Sequence, residues 1–271
     1  MKYRYLIFMQ VVGYLSGGFD NQATSLALPE IQKEMNIDVS LSQWTKTIST
    51  IAKTSFSIPL AQLGAKLGVV NSLMFFCGCC IILFPLLIIT KNFYLFLFLR
   101  FLLGLSMCGA QVNSSTLYQR LPKECDRKKN AQYQQITMNI ARVFGPLVST
   151  IIIQYVGWRW VYAICAGASV LRLLNASFIP NMDMTMKAFD YGGACILIVF
   201  LTCFCLFFTM IAQSYYIVAV VLLAVFIGFF VWFIFWEKKA ADPLIDIKVL
   251  VSPVPILMSI AAGQFLCTSS E

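Results

Sequence analysis

Histidine is absent from this chain, and charged side chains make up only 12% of its 271 residues. The first absence removes the commonest catalytic base and the commonest metal ligand. The second excludes the surface of a water-soluble domain, which runs nearer ~25% charged. What fills the space is apolar: 59% hydrophobic residues, 23 Phe and a mean hydropathy of +0.79. A soluble enzyme, a nucleic-acid binder and a disordered chain are excluded on these grounds. There is no Cys–His pair and no Gly-rich phosphate loop, so no enzymatic chemistry and no cofactor is read. The ten Cys lie almost entirely in apolar runs, where Cys acts as a small hydrophobe, and they imply no disulfide framework. Cys77, Cys79 and Cys80 cluster, but their flanks are apolar and no further ligand is near, so no metal site is read.

A membrane-spanning helix needs roughly 20 mostly apolar residues, because the hydrocarbon core is about 30 Å thick. Eight stretches qualify: Tyr5–Leu28, Trp44–Gly64, Val70–Thr90, Tyr94–Tyr118, Ala131–Val156, Trp160–Phe178, Tyr191–Ala212 and Tyr215–Trp236. The connections are too short for a soluble domain. A ninth run, Val254–Cys267, is too short to span comfortably before the sequence stops. The first stretch is no cleavable signal: it is too long, contains Asp20 and lacks a small-residue cleavage site.

Lys and Arg in the connections set the orientation. With the N-terminus in the cytoplasm, twelve of them fall on the inner side, including Arg120, Lys123, Arg127, Lys128 and Lys129, while Lys33, Lys46, Lys91 and Arg159 fall outside. The net charge of +8 is therefore largely a topology signal, and no nucleic-acid partner is implied. Trp44, Trp158 and Trp160 fall at outer ends and Trp232 and Trp236 at an inner end, the headgroup levels that Trp prefers.

Ionisable groups inside a bilayer cost about 2.5–3.5 kcal/mol each on insertion scales, so they face a cavity or a partner. Asp20, Lys53, Arg100 and Arg142 are the candidates. A rise of roughly 1.5 Å per residue puts Asp20 and Arg100 at similar depth, within reach of an ion pair, with Lys53 and Arg142 nearer the midplane. A carboxyl is the natural proton carrier, which favours a functional role for Asp20. Polar residues accompany these charges: Gln22 and its neighbours after Asp20, Gln111, Asn113, Ser114 and Ser115 on span four, and Gln135 and Asn139 on span five. Facing lipid they would be costly. They imply either a water-accessible seam between helices or plain inter-helix hydrogen bonding. Spans seven and eight hold no intramembrane charge and are expected to pack outside the bundle that carries the path.

Several motifs, in order and spacing, resemble the major facilitator superfamily, and more closely its fourteen-helix drug:proton antiporter branch. Asp20 followed by Ala27-Leu28-Pro29 is similar to the family's first span. Arg100-Phe101-Leu102-Leu103-Gly104 resembles its buried Arg-Phe-x-x-Gly signature. Ala141-Arg142-Val143-Phe144-Gly145-Pro146-Leu147-Val148-Ser149 resembles the antiporter motif, with small residues replacing two of its Gly. Gly157-Trp158-Arg159-Trp160, Phe189-Asp190-Tyr191-Gly192-Gly193 and Asp242-Pro243-Leu244-Ile245-Asp246 match further connecting segments. The loop between spans two and three departs from the pattern. Of its charged motif only Lys66 and Gly68 remain, so gating through that loop is weakened.

The resemblance implies an all-α polytopic membrane protein: a six-helix N-terminal bundle (1–180), two additional transmembrane helices (181–239), and a cytoplasmic linker with the start of an incomplete ninth helix (240–271). It implies secondary active transport, proton-coupled export of drugs or other small hydrophobic compounds, in the plasma (inner) membrane. Its partners would be the lipid bilayer, protons and the small-molecule substrate. Asp20 and Arg100 would couple protons. Gln22, Gln111, Asn113, Gln135, Asn139 and Arg142 would line the substrate path, Lys66 and Gly68 the gating loop, and Gly145-Pro146 the antiporter motif. The sequence ends inside the expected ninth span, which leaves three readings open: a fragment of a longer transporter, a split transporter half that pairs with a second half or self-associates through the polar face, or a decayed remnant; the chain alone is not expected to transport. A non-transporting remnant or partner-binding membrane subunit is the alternative.

Overall fold

The computed structural model describes residues 2–119, 124–178, 191–213 and 215–239. They form eight helices: α1 (Lys2–Met35), α2 (Val39–Leu67), α3 (Val69–Ile89), α4 (Phe93–Gln119), α5 (Glu124–Tyr155), α6 (Arg159–Ala176), α7 (Tyr191–Ala212) and α8 (Tyr216–Lys239). Each corresponds to one expected span, with α3, α5, α6 and α8 falling one or two residues short of it at one end. Most overrun it at one or both ends, because hydropathy reports only the apolar stretch while helical hydrogen bonds continue into polar ends. Helix is the default here, since backbone N–H and C=O groups in lipid must be satisfied within the segment. Five helices (α3, α4, α5, α7 and α8) are apolar enough to cross a membrane on length and composition alone. Their companions α1, α2 and α6 carry Asp20, Lys53 and Arg172 in their interiors. The linker 240–271, the expected ninth span and the boundary near residue 180 lie outside the described residues.

Helices α1 to α6 form one bundle. α1 packs on α5 and α6, α4 packs on α2 and α3, and α3 packs on α6. Exchanging α1–α3 for α4–α6 maps this set of contacts onto itself. That is the pattern of two three-helix repeats, and an odd helix count per repeat inverts the second relative to the first. The two most intimate crossings are equivalent under the exchange. A Cβ added at Gly18 on α1 would sit 2.7 Å from the Cβ of Ala141 on α5. One added at Gly104 on α4 would sit 3.0 Å from the Cβ of Ala52 on α2. In lipid, where no hydrophobic force drives helices together, such close approach supplies the van der Waals contact that does. The central core holds Phe84, Leu87, Phe96, Leu103, Met107, Trp158 and Tyr162, from α3, α4, α6 and the α5–α6 turn. Gly68 alone joins α2 to α3, at φ +93°. That conformation calls for Gly whatever the junction does in gating.

α7 and α8 lie outside this bundle, as expected. Among the described residues they pack on each other and, through α7, on α2 only. The Phe200, Phe226, Phe230 and Phe233 rings interlock between them, and the Thr202 hydroxyl meets the Ser55 hydroxyl at 3.0 Å.

One end of the bundle is closed by a polar clasp. The Trp158 indole N–H donates to Glu34 Oε2 at 2.6 Å, and Arg159 Nη2 donates to Glu34 Oε1 at 2.7 Å. Arg159 also donates to the carbonyls of Ile88 and Thr90. The end of α1, the end of α3 and the start of α6 are thereby tied together. The Arg159 hydrogen bond holds the Glu34 carboxyl below its ordinary value against an opposing push from partial burial, with Trp158 assisting. A depressed carboxylate contributes stability that is complete above its unfolded pKa, about 4.3, and is lost as pH falls through the lower folded value. Thermal unfolding followed by Trp fluorescence should therefore show an acid-side loss of stability that is smaller in Glu34→Gln. An identical pH profile in wild type and variant would contradict this.

Candidate functional site

The expected ion pair forms. Asp20 on α1 and Arg100 on α4 are each about 1% exposed. Arg100 Nη1 donates to Asp20 Oδ1 at 2.9 Å. Arg100 Nη2 donates to the Tyr162 hydroxyl at 2.8 Å and to the Thr24 hydroxyl. The Thr24 hydroxyl in turn donates to the Asp20 carbonyl at 2.7 Å. The guanidinium lies 4.8 Å from the Tyr162 ring centroid, close enough for cation–π attraction. Helical spacing explains the convergence on α1: Asp20 and Thr24 are four residues apart, so they share a face.

Lys53 on α2 is drawn to the same carboxylate, with Nζ 3.8 Å from Asp20 Oδ2. Its long side chain thus brings the ammonium from α2 to the carboxylate on α1. Its side chain is 24% exposed and lines a cavity of about 150 Å³ between α1, α2, α4 and α5. Tyr14, Asn21, Gln22, Gln111 and Arg142 complete the polar lining, with Gly17, Gly18, Met107 and Met138 between them. The Tyr14 and Ser115 hydroxyls lie 3.2 Å apart, joining α1 to α4 beside it. A second cleft, of about 330 Å³, runs between α1, α5 and α6 and is lined almost entirely by apolar groups, among them Leu15, Phe19, Phe144 and Ile164.

Of the residues expected on the substrate path, Gln22, Gln111 and Arg142 are therefore brought together. Asn113 is a correction. It is wholly buried against Gly64 of α2, and its amide donates to the Gly109 carbonyl at 2.8 Å. Gln111 and Ser115 share a helical face, and residue 113, two positions on, must point elsewhere. Gln135 and Asn139 are exposed on α5 and do not line the cavity. Gly145 is buried against Gln22, with ordinary van der Waals spacing for an added Cβ at 3.5 Å. Pro146 lies inside α5, so the carbonyl of Arg142, four residues back, loses its helical donor beside the cavity.

Two participants escaped the sequence reading. Tyr162 carried no charge to mark it. Arg172 did: it lies in an apolar run of span six, and the criterion that selected the other four charges applies equally to it. It is 9% exposed, donates to the Ala110 carbonyl of α4 at 2.8 Å and packs on Gly13 of α1. Its Nε has no hydrogen-bond partner among the described residues.

Two three-helix repeats thus hold a paired carboxylate and a polar cavity between them, and sequence comparison gives the family. The profile of the Major Facilitator Superfamily matches residues 11–266. The chain belongs to the major facilitator superfamily. It is an integral membrane protein. It is 24% identical over 207 residues to Multidrug resistance protein 3 of Bacillus subtilis, covering 65% of this chain and 40% of that protein. It is 25% identical over 233 residues to the Quinolone resistance protein NorB of Staphylococcus aureus, covering 82% of this chain and 49% of that one. The chain thus spans about half the length of these relatives, or less. Among solved structures, the POT family transporter PepTSo aligns with a TM-score of 0.62 at 12% identity, covering 84% of this chain and 51% of that one. At such identity the likeness establishes the shared fold.

Proposed function

We propose that this major facilitator chain works in proton-coupled export of drugs or other small hydrophobic compounds across the plasma membrane, with its N-terminus in the cytoplasm. The observation that carries the proposal is Asp20: a buried carboxylate paired to Arg100 and to Lys53, the latter lining a polar cavity. Asp20 takes and releases the proton, and Arg100 competes with that proton for the carboxylate. A carboxyl that alternates between a cation and apolar surroundings alternates in proton affinity. The cavity faces a second helical half or a second copy of the chain, since transporters of this plan hold substrate between repeat bundles and rock them around it. Gly145-Pro146 keeps α5 close to α1, and the Lys66–Gly68 junction is where α2 and α3 pivot. The multidrug and quinolone resistance relatives support export as the direction.

The test is gradient-driven movement of a fluorescent hydrophobic compound in vesicles from cells expressing the full reading frame. Movement that stops when an uncoupler collapses the proton gradient is the expected result. Movement indifferent to the gradient, or absent across a panel of such compounds, would overturn the proposal.

A further inference from the structure

The buried carboxylate of Asp20 does not line the polar cavity, and neither does Arg100. Among the described residues, Lys53 is the side chain that both meets the carboxylate and lines the cavity wall. The two cations hold Asp20 in different ways. Arg100 donates to Oδ1 at 2.9 Å, but it is also held by the Thr24 hydroxyl, by the Tyr162 hydroxyl at 2.8 Å and by the Tyr162 ring. Those last three contacts do not depend on the charge of Asp20, so they keep Arg100 in place when Asp20 is neutral. Lys53 stands 3.8 Å from Oδ2, beyond hydrogen-bond reach, so charge alone holds it there. Its backbone is fixed within α2, where its carbonyl accepts from Cys108 Sγ at 3.1 Å. Its four-carbon stem is flexible.

We propose that Lys53 is a proton-controlled plug of the cavity: when Asp20 takes a proton, the Lys53 ammonium leaves it, swings into the cavity and displaces the compound held there. This rests on the transport reading above, in which Asp20 carries the proton, and adds how that proton reaches the substrate. A neutral Asp20 no longer attracts the ammonium. The cavity is its nearest polar surrounding: Tyr14, Asn21, Gln22 and Gln111 line it, and each has an oxygen that can accept from an ammonium. Gly17 and Gly18 leave part of its α1 wall without side chains. Its volume is about 150 Å³, well below the roughly 300 Å³ at which ordinary small-molecule pockets begin. Such a space does not hold both the end of a lysine and part of a drug-sized molecule. Proton and compound therefore exclude each other, which is the condition for exchanging one for the other. The linkage is reciprocal, since a compound seated there keeps Lys53 on Asp20. The other charged or titratable groups around the pair are Arg100 and Cys108 of α4, Cys80 of α3, and Tyr162 and Cys165 of α6, with Tyr14 and Arg142 across the cavity. Arg142 has an interaction of its own, and the plug asks nothing of it.

Asp20→Asn holds the site in its neutral form and should lock the plug in. Binding of radiolabelled chloramphenicol, a neutral probe, to the purified protein is read by scintillation proximity. Asp20→Asn should bind it about tenfold more weakly than wild type, and adding Lys53→Ala to that variant should restore most of the loss. Recovery on removing a second side chain is not the behaviour of a protein that has lost its fold. Reductive methylation with formaldehyde and a borane reads Lys53 directly. Relative to the exposed Lys46 and Lys91, Lys53 should react several-fold faster in Asp20→Asn than in wild type, while Arg100 stays unreactive toward phenylglyoxal in both. Undiminished binding in Asp20→Asn, a loss that Lys53→Ala does not restore, or equal Lys53 reactivity in the two proteins would each overturn the inference. Energised vesicles separate it from the reading beneath, and the single variant Lys53→Ala keeps it testable if Asp20→Asn does not fold. Gradient-driven efflux that Lys53→Ala retains in full would uphold transport and refute the plug. Lys53 freed in Asp20→Asn, without gradient-driven movement of any compound by wild type, would uphold the plug and refute transport.

Discussion

Replacing Asp20 by asparagine is expected to reduce gradient-driven export to background while the protein still inserts and folds. Asparagine is nearly isosteric and keeps a carbonyl oxygen where Asp20 Oδ1 accepts from Arg100 Nη1 at 2.9 Å. It cannot carry a proton at any relevant pH, so the coupled cycle has no carrier. The substitution also leaves Arg100, about 1% exposed, without its counter-charge. Removing one partner of a buried ion pair costs about 3–5 kcal/mol. The amide oxygen, Thr24 and Tyr162 offset part of that. Asp20→Ala, which leaves no acceptor, should approach the full cost. The measurements are uncoupler-sensitive efflux for function, and the unfolding midpoint in detergent for stability. Undiminished gradient-driven efflux in Asp20→Asn would remove Asp20 from the proton path. Asp20→Ala no less stable than Asp20→Asn would show that the pair holds nothing together.

The second large effect concerns packing and is expected at Gly18, which no motif singles out, and at Gly104, the glycine that closes the Arg-Phe-x-x-Gly signature. A Cβ at Gly104 would stand 2.8 Å from the backbone carbonyl oxygen of Ser49, and one at Gly18 2.7 Å from the Cβ of Ala141. Neither neighbour is the free end of a flexible side chain, so the helices themselves must separate. Gly18→Ala and Gly104→Ala should each destabilise by about 1–3 kcal/mol, and the leucine variants by more. Gly145→Ala should be close to neutral, because its nearest neighbours, Gln22 Cβ and Cγ, stand 3.5 Å away; only a larger side chain such as leucine should overpack there. Gly78, with nothing within 4 Å, is a mid-helix control that should gain roughly 0.5–1 kcal/mol on conversion to Ala. Thermal unfolding of the four alanine variants gives the ranking directly. Gly104→Ala as stable as Gly78→Ala would refute the close crossing of α2 and α4, and Gly18→Ala the crossing of α1 and α5.

These two experiments probe features of different legibility. The Asp20–Arg100 pair could be reached from sequence because both residues interrupt apolar runs and rise per residue places them at one depth. The eight helices could be reached because hydropathy and helix length are set by the same slab of hydrocarbon. Asn113 could not be placed. A cluster of polar residues on one helix looks like a single face in a list, but residues 111 and 113 are about 200° apart around a helix. Nor could the crossing points, since Gly18, Gly104 and Gly145 are alike as letters. They differ only in what stands opposite.

By itself, then, the sequence determined the solvent and the parts. Its apolar runs are long enough to cross a membrane, and its few charges within them are too costly to be left facing lipid. Tertiary structure alone decided the partners. It gave Arg100 the Tyr162 hydroxyl, brought Lys53 to the second oxygen of Asp20, turned Asn113 into the α2–α4 contact and placed Arg172 on the carbonyl of Ala110. The reason is geometric. Depth along a helix is written in the order of residues, but the direction a side chain faces acquires a meaning only when another helix is packed against it.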